Sequence, residues 1–175
     1  MSGHSKWSTI KHKKAIVDAK RGKVFSKLAR LITIESKLSN GDVNSPSLKV
    51  VIQKAKAANM PKDNIERAVA KGVSGGGGDE CVLYEMYGPS GVAMLVNTFT
   101  DNRNRTVAEI KTVITKLGYQ LAEPGAAAWA FEKEGAEWKA NTTIELDDES
   151  LEKLSSLVDA LEDLDDVESV YTNAD

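Results

Sequence analysis

The chain has 175 residues, enough for one domain or two small ones, and its 41% of hydrophobic residues can bury a core. One cysteine, Cys81, and two histidines, His4 and His12, exclude an internal disulfide and leave too few soft ligands for a structural zinc site. No apolar run approaches the roughly 18 residues of a membrane span, and the N-terminal lysines lack the apolar segment of a signal peptide. We therefore expect a cytoplasmic protein with no metal, no other cofactor and no membrane partner.

The net charge of −3 conceals two halves of opposite charge. Residues 1–72 hold 16 Lys and Arg against 5 Asp and Glu, a net of +11, so the other residues hold 7 against 21, a net of −14. Between them lies a glycine-rich run at 73–79, which has maximal backbone freedom. We predict a basic domain at 1–72, a linker at 73–79 and an acidic domain at 80–175. A phosphate-binding loop fits the glycines less well, because no Gly-Lys-Ser/Thr follows them.

The basic half has the periodicity of helices. A short basic stretch at 11–20 precedes a segment, 24–38, whose apolar residues recur at three- and four-residue spacing. Ser45-Pro46 is typical of an N-cap followed by proline at the first helical position, and Pro61 opens a further helix. Gly72 is a plausible stop for that last helix. The pattern predicts a small helical bundle.

In the acidic half the period changes to two. Segments 82–87 and 92–100 alternate around Gly88-Pro89-Ser90-Gly91, which predicts a hairpin, and a helix at 106–117 follows. A second hairpin is predicted from 126–132 and 136–146, then a helix capped by Asp147-Asp148 and a strand at 167–171. The order β-β-α-β-β-α-β favours an α+β, ferredoxin-like sandwich with its helices on one face of the sheet.

Basic residues are densest at the start of the chain. Ten positive charges precede Leu38 and only Asp18 and Glu35 oppose them, so repulsion costs stability unless a polyanion relieves it. Trp7 could stack on an unpaired base or pack in the core, and the lysines could simply be solvated. The candidate nucleic-acid-binding residues here are Lys6, Trp7, Lys11, His12, Lys13, Lys14, Lys20, Arg21, Lys23, Lys27 and Arg30.

A second candidate site is the loop at 101–106, where Arg103, Asn104 and Arg105 precede a helix. Helix N-termini carry unpaired N–H groups and partial positive charge, so two arginines placed there can bind phosphate. The alternative is that Asn104 or Thr106 caps the helix while the arginines pair with acidic surface residues.

No catalytic arrangement is visible. The acidic clusters at 145–149 and 162–168 match no calcium loop and flank a helix, so solvated faces are the better interpretation. Cys81 and the two histidines form no nucleophile and base pattern. We expect a protein that is not an enzyme and has no small-molecule substrate.

Several motifs together carry a resemblance. They are Gly3-His4-Ser5-Lys6-Trp7, Ile10-Lys11-His12-Lys13-Lys14, Asp18-Ala19-Lys20-Arg21-Gly22-Lys23, Asn59-Met60-Pro61-Lys62-Asp63-Asn64-Ile65, Tyr87-Gly88-Pro89 and Thr100-Asp101-Asn102-Arg103-Asn104-Arg105-Thr106-Val107. Over residues 2–132 the chain closely resembles the YebC family, which includes the mitochondrial translational activator of cytochrome c oxidase subunit I. Residues 157–173 resemble the end of that family. The chain looks like a shortened member, because the α/β domain that usually follows the strand matching Trp129-Ala130-Phe131 is replaced by about a dozen residues.

The resemblance implies a nucleic-acid-binding regulator of gene expression. Members of the family are assigned either to transcription or to translation, where they act on ribosomes that stall on difficult nascent sequences. We favour ribosomal RNA, since the basic half lacks clear helix-turn-helix spacing and Trp7 among lysines suits unpaired bases. A DNA-binding transcriptional regulator is the alternative, and a ligand-sensing ferredoxin-like domain ranks below both.

Overall fold

The structure is a computed structural model that describes residues 6–14, 21–75, 80–135 and 137–175. Contacts between Cα atoms divide it into two compact units. The first, here called the helical unit, contains three helices together with Phe99–Asn102. The second, the α+β unit, contains an N-terminal helix, Cys81–Thr98 and Arg103–Asp175.

The helical unit consists of α2 (Arg21–Leu38), α3 (Pro46–Ala57) and α4 (Lys62–Val73). Proline occupies the first position of α3, as predicted, although the side chain of Ser45 makes no capping hydrogen bond. Asn59, in the turn that follows α3, has a positive φ of 62°. One apolar core joins the three helices, with Ile32, Leu48, Val51, Ala55, Met60, Ile65 and Ala68 buried in it. The predicted helical bundle is confirmed for these helices.

Helices α2 and α4 pack closely through small side chains. The Thr33 hydroxyl donates to the Ala68 carbonyl at 3.2 Å, and the Ser36 hydroxyl donates to the Val69 carbonyl at 2.7 Å. The prediction that Gly72 stops α4 is wrong, because the helix continues to Val73 and Gly72 is buried in it. A Cβ atom at Gly72 would lie 2.5 Å from the Thr33 carbonyl oxygen, so this glycine permits the close approach of the two helices.

The α+β unit contains α1 (Lys6–Lys14), α5 (Arg103–Lys116) and α6 (Asp148–Glu162) beside six strands. The strands are β1 (Glu80–Tyr87), β2 (Ala93–Thr100), β3 (Leu121–Ala122), β4 (Phe131–Glu134), β5 (Glu137–Ala140) and β6 (Val167–Thr172). Four of them form a sheet in the order β3-β1-β2-β6, in which β3 and β6 are antiparallel to their neighbours. The α+β class is confirmed.

Strand β2 is covered on both faces. Met94 and Val96 point into a core formed with Ile110 of α5 and Leu154 of α6. The alternate residues Ala93 and Leu95 pack on Phe131, beside the short 3-10 turn Ala128–Ala130 and the β4–β5 hairpin. The two helices therefore lie on one face of the sheet, as predicted, and the second hairpin covers the other.

Three details differ from the sequence prediction. Strand β3 was not predicted, and β4 and β5 form a two-stranded sheet of their own instead of extending the main one. Helix α5 begins at Arg103, so neither Asn104 nor Thr106 is its N-cap. The predicted cap of α6 is confirmed, since the Asp147 carboxylate accepts a hydrogen bond from the Ser150 N–H at 2.7 Å.

Helix α1 packs in the α+β unit and not with α2 to α4. Trp7 is only 8% exposed and belongs to the core that contains Met86 and the helices α5 and α6, and Ile10 packs against the same core. Contacts between Cα atoms thus group α1 with the α+β unit, while α2 to α4 form a compact unit of their own. The predicted linker lies partly outside the described residues, at 76–79.

Candidate nucleic-acid interface

Helix α2 presents a row of cations. Lys23, Lys27 and Arg30 follow one another at four- and three-residue spacing, so they lie on one side of the helix. The Arg30 guanidinium donates to the Phe99 carbonyl within the helical unit, at 3.4 Å. Three of the predicted binding residues are therefore brought together on one described surface.

Helix α4 adds two cations that are not among the binding residues predicted from the sequence. Arg67 and Lys71 are four residues apart and both are exposed. The Asn64 side-chain oxygen accepts a hydrogen bond from Arg67 at 3.0 Å, which orients the guanidinium. Among the described residues neither Arg67 nor Lys71 forms an ion pair. The net charge of residues 1–72 includes both cations, but charge alone did not indicate which helix faces they share.

An open cleft of about 440 Å³ separates part of α2 from α4. Ala29, Thr33 and Ala68 form part of its lining, and it lies on the N-terminal side of the close contact at Gly72. Arg30 of α2 and Arg67 and Lys71 of α4 line it. Residues 21–75 hold 11 Lys and Arg against 4 Asp and Glu, a net of +7, so this segment as a whole is positively charged.

The N-terminal candidates are arranged differently from the prediction. Lys6 forms an exposed ion pair with Asp148 at 2.8 Å, and this hydrogen bond and charge raise the pKa of Lys6. Trp7 is buried, so its ring has no free face on which a base could stack. Four further candidates, Lys11, His12, Lys13 and Lys14, lie on α1, and Arg21 begins α2, but their side chains are not among those that the structure describes. Lys20 lies outside the described residues.

The candidate residues of the loop at 101–106 lie at the start of α5, where Arg105 is bonded within the α+β unit. Arg105 pairs with the buried carboxylate of Asp166 at 2.9 Å, and the Thr106 hydroxyl donates to the same oxygen at 2.7 Å. The side chain of Asp166 is 3% exposed and that of Arg105 42% exposed. Arg103 and Asn104 are exposed in the first turn of α5. Arg105 thus pairs with an acidic residue, but with a buried one and not with the surface residues of the alternative.

We expect replacement of Arg105 by Gln to affect stability more than binding. The variant removes the ion pair with the buried Asp166 carboxylate, which we expect to cost about 1 kcal/mol because Arg105 is partly solvated. Urea unfolding followed by tryptophan fluorescence measures this cost. Lys111→Gln, an equal charge change at an exposed position of α5, is the control for nucleic-acid affinity. A loss of affinity about five-fold greater in Arg105→Gln than in Lys111→Gln would instead show that Arg105 binds phosphate.

No helix among the described residues is long and apolar enough to cross a membrane.

Comparison with protein families gives two matches that together cover most of the chain. The family described as "TACO1/YebC protein N-terminal domain" matches residues 5–75. The family described as "TACO1/YebC second and third domain" matches residues 79–136 and 132–174. The boundary between the two families coincides with the glycine-rich run.

Curated relatives are similar in sequence and longer than this chain. A "probable transcriptional regulatory protein" of Trichlorobacter lovleyi is 54% identical over 138 residues, which are 77% of this chain and 56% of that relative. The chain therefore spans about half the length of this relative. A protein of the same name from Citrifermentans bemidjiense is 39% identical over 237 positions, covering 100% of this chain and 96% of that protein. Since this chain has 175 residues, at least 62 of those positions (237 less 175) belong to the relative alone, as expected of a shortened member.

The fold is also that of a solved structure. The crystal structure of a conserved hypothetical protein, Aq1575, from Aquifex aeolicus is 34% identical, with a TM-score of 0.85 over 98% of this chain and 97% of that one. The motifs, the fold and both family matches agree. The chain belongs to the TACO1/YebC family.

Proposed function

We propose that this protein is a nucleic-acid-binding regulator of gene expression whose helical unit makes the main contact with phosphate. The observation that carries the proposal is the cationic cleft between α2 and α4, where Arg30, Arg67 and Lys71 converge. The printed names of the relatives, probable transcriptional regulatory proteins, support a regulator of this general kind. Arg103 and Asn104 at the start of α5 are a second candidate contact.

Ribosomal RNA is the partner that we favour, in the role of a translation factor that assists stalled or difficult translation. The four-residue connection between α3 and α4 weakens one of the two reasons from sequence, and the buried position of Trp7 removes the other, because the ring is not available for stacking. The concave site between α2 and α4 is now the reason for which we favour RNA. Unpaired RNA bases enter such clefts, whereas a duplex is contacted by protruding elements.

Binding to duplex DNA is the second candidate. Helices α3 and α4 are joined by only the four residues 58–61, a spacing that also occurs in helix-turn-helix proteins. In that arrangement the second helix reads the major groove, and α4 exposes Arg67. This observation favours a transcriptional regulator, in line with the names of the relatives.

Sedimentation with ribosomes separates the two candidates. The protein should co-sediment with ribosomes at low salt and be released as salt rises, because phosphate contacts release counterions. Absence from the ribosomal fraction at both low and moderate salt would contradict the translation role. Retardation of a specific DNA duplex that persists in excess competitor RNA would support the transcriptional role instead.

We expect the basic residues of α1 to contribute to the same binding. Replacing Lys11, Lys13 and Lys14 by Ala should weaken binding to single-stranded RNA and reduce the logarithmic salt slope by about 0.7 per lost phosphate contact, or about 2 for three contacts. Fluorescence anisotropy over a salt series measures the slope. The control is the Ala variant of Lys49, Lys54 and Lys56 on α3, which removes the same charge. An unchanged slope in the α1 variant would show that its lysines are only solvated.

A further inference from the structure

The cleft between α2 and α4 is concave, and a protein that only attracts phosphate by charge does not need a concave site. Its volume of about 440 Å³ falls within the range of small-molecule sites, about 300–1,000 Å³. A flat basic surface would serve for non-specific attraction to a polyanion. The cleft is open to solvent, so a ligand group of that size can enter it.

The lining of the cleft combines an apolar wall with a charged rim. Phe25 and Met60 supply the apolar part, and Phe25 is half-buried. Arg30, Arg67 and Lys71 supply the positive charge. An aromatic face next to cations is the pairing that binds a base by stacking and its phosphate by charge.

One polar group in the cleft is suited to contact a base edge. The Asn64 side-chain oxygen is occupied by the hydrogen bond from Arg67, at 3.0 Å. Its amide group then has two N–H donors in the same cleft, and Arg67 keeps its other donors for a phosphate oxygen. The hydrogen bond between the two side chains fixes both in place before the ligand arrives.

We propose that the α2–α4 cleft accommodates one unpaired nucleotide of a single-stranded RNA, with its base against Phe25 and its phosphate between Arg67, Lys71 and Arg30. The inference rests on the proposed nucleic-acid-binding function and deepens it, since it defines the ligand as an unpaired nucleotide and not a duplex. The helical unit then selects flexible, unpaired segments of its target, which is consistent with a role on ribosomal RNA.

The test compares a single-stranded RNA octamer with the same octamer paired to its complement, by fluorescence anisotropy on the full chain. Phe25→Leu removes the aromatic face and keeps an apolar side chain, so it should weaken single-strand binding about five-fold or more and leave duplex binding unchanged. Phe25→Tyr keeps the ring and should bind within two-fold of the original protein. Far-UV circular dichroism shows whether each variant is folded.

A second pair of variants tests the contact between Arg67 and a phosphate group. Arg67→Gln should weaken single-strand binding more than Lys49→Gln, an equal charge change at an exposed position of α3 outside the cleft. Its salt slope should fall by about 0.7, corresponding to one phosphate contact. Equal effects of Arg67→Gln and Lys49→Gln, together with no selective effect of Phe25→Leu, would overturn the cleft as a nucleotide site. That result leaves the general proposal intact, whereas failure of the unaltered protein to bind either RNA would contradict the proposed function itself.

Discussion

Replacing Gly72 by Ala should destabilise the helical unit by about 3 kcal/mol, although alanine is the better helix former. The added Cβ atom would lie 2.5 Å from the Thr33 carbonyl oxygen and 2.6 Å from the Ser36 Cβ atom. One of these neighbours is backbone, so the clash is relieved only if α2 and α4 move apart. That movement also lengthens the hydrogen bonds from Thr33 and Ser36 to carbonyl groups of α4.

The direction of the change distinguishes packing from helix propensity. Propensity alone predicts that Gly72→Ala stabilises α4 by about 1 kcal/mol, because glycine is the poorer helix former. Ala70→Gly, at an exposed position of the same helix, is the matched control and should cost about that amount. All three tryptophans, at 7, 129 and 138, lie in the α+β unit, so far-UV circular dichroism in urea is the measurement for the helices. Unchanged or greater stability of Gly72→Ala would contradict the close packing.

The same glycine shows what local sequence can predict and what it cannot. The helix up to Gly72 was predictable, because apolar residues recur with the helical period and Pro61 precedes them. Glycine occurs both after helix ends and where two helices touch, and only the position of α2 distinguishes these roles. Strand β3 was missed for a related reason: two residues are too few to show an alternation.

The positive charge of the candidate site could be predicted from the sequence, but the positions of its side chains could not. The dense positive charge at the start of the chain singled out Lys23, Lys27 and Arg30, and Arg67 and Lys71 contribute to the same total. The cleft depends on which faces α2 and α4 turn toward each other, and no local pattern encodes that. Helix α1 is adjacent in sequence to the bundle, yet its apolar residues Trp7 and Ile10 pack in the α+β core. Packing across more than a hundred residues decides its position, and that packing has no local signature.

A buried carboxylate in the α+β unit leads to the second large prediction. Glu85 on β1 is 7% exposed and accepts hydrogen bonds from the backbone N–H groups of Gly125, Ala127 and Ala128, at 2.7, 2.8 and 2.8 Å. Burial raises the pKa of Glu85, but the three amide donors outweigh it and hold the pKa below its ordinary value of about 4.5. The carboxylate thus holds the turn that precedes β4 against β1.

Replacing Glu85 by Gln should destabilise the α+β unit by about 3 kcal/mol at neutral pH. Glutamine offers one acceptor oxygen where the carboxylate offers two, and its amide group would direct N–H donors at the donors of the turn. Because the folded-state pKa lies below the unfolded one, the contribution of Glu85 is complete above about pH 4.5 and is lost as the pH falls through the folded-state value. The difference in stability between the two proteins should therefore shrink in acid.

Tryptophan fluorescence during urea unfolding measures this difference directly. Trp129 follows the turn and its indole N–H donates to the Tyr87 hydroxyl and the Ala126 carbonyl, both at 2.9 Å, so the signal reports on the affected region. Glu132→Gln, the same chemical change at an exposed position of β4, should alter stability by no more than about 0.5 kcal/mol at any pH. If Glu85→Gln matched Glu132→Gln at neutral pH, the three backbone hydrogen bonds would not stabilise the turn. If the difference in the free energy of unfolding stayed constant as the pH fell, the backbone N–H groups would not depend on the ionised form of Glu85.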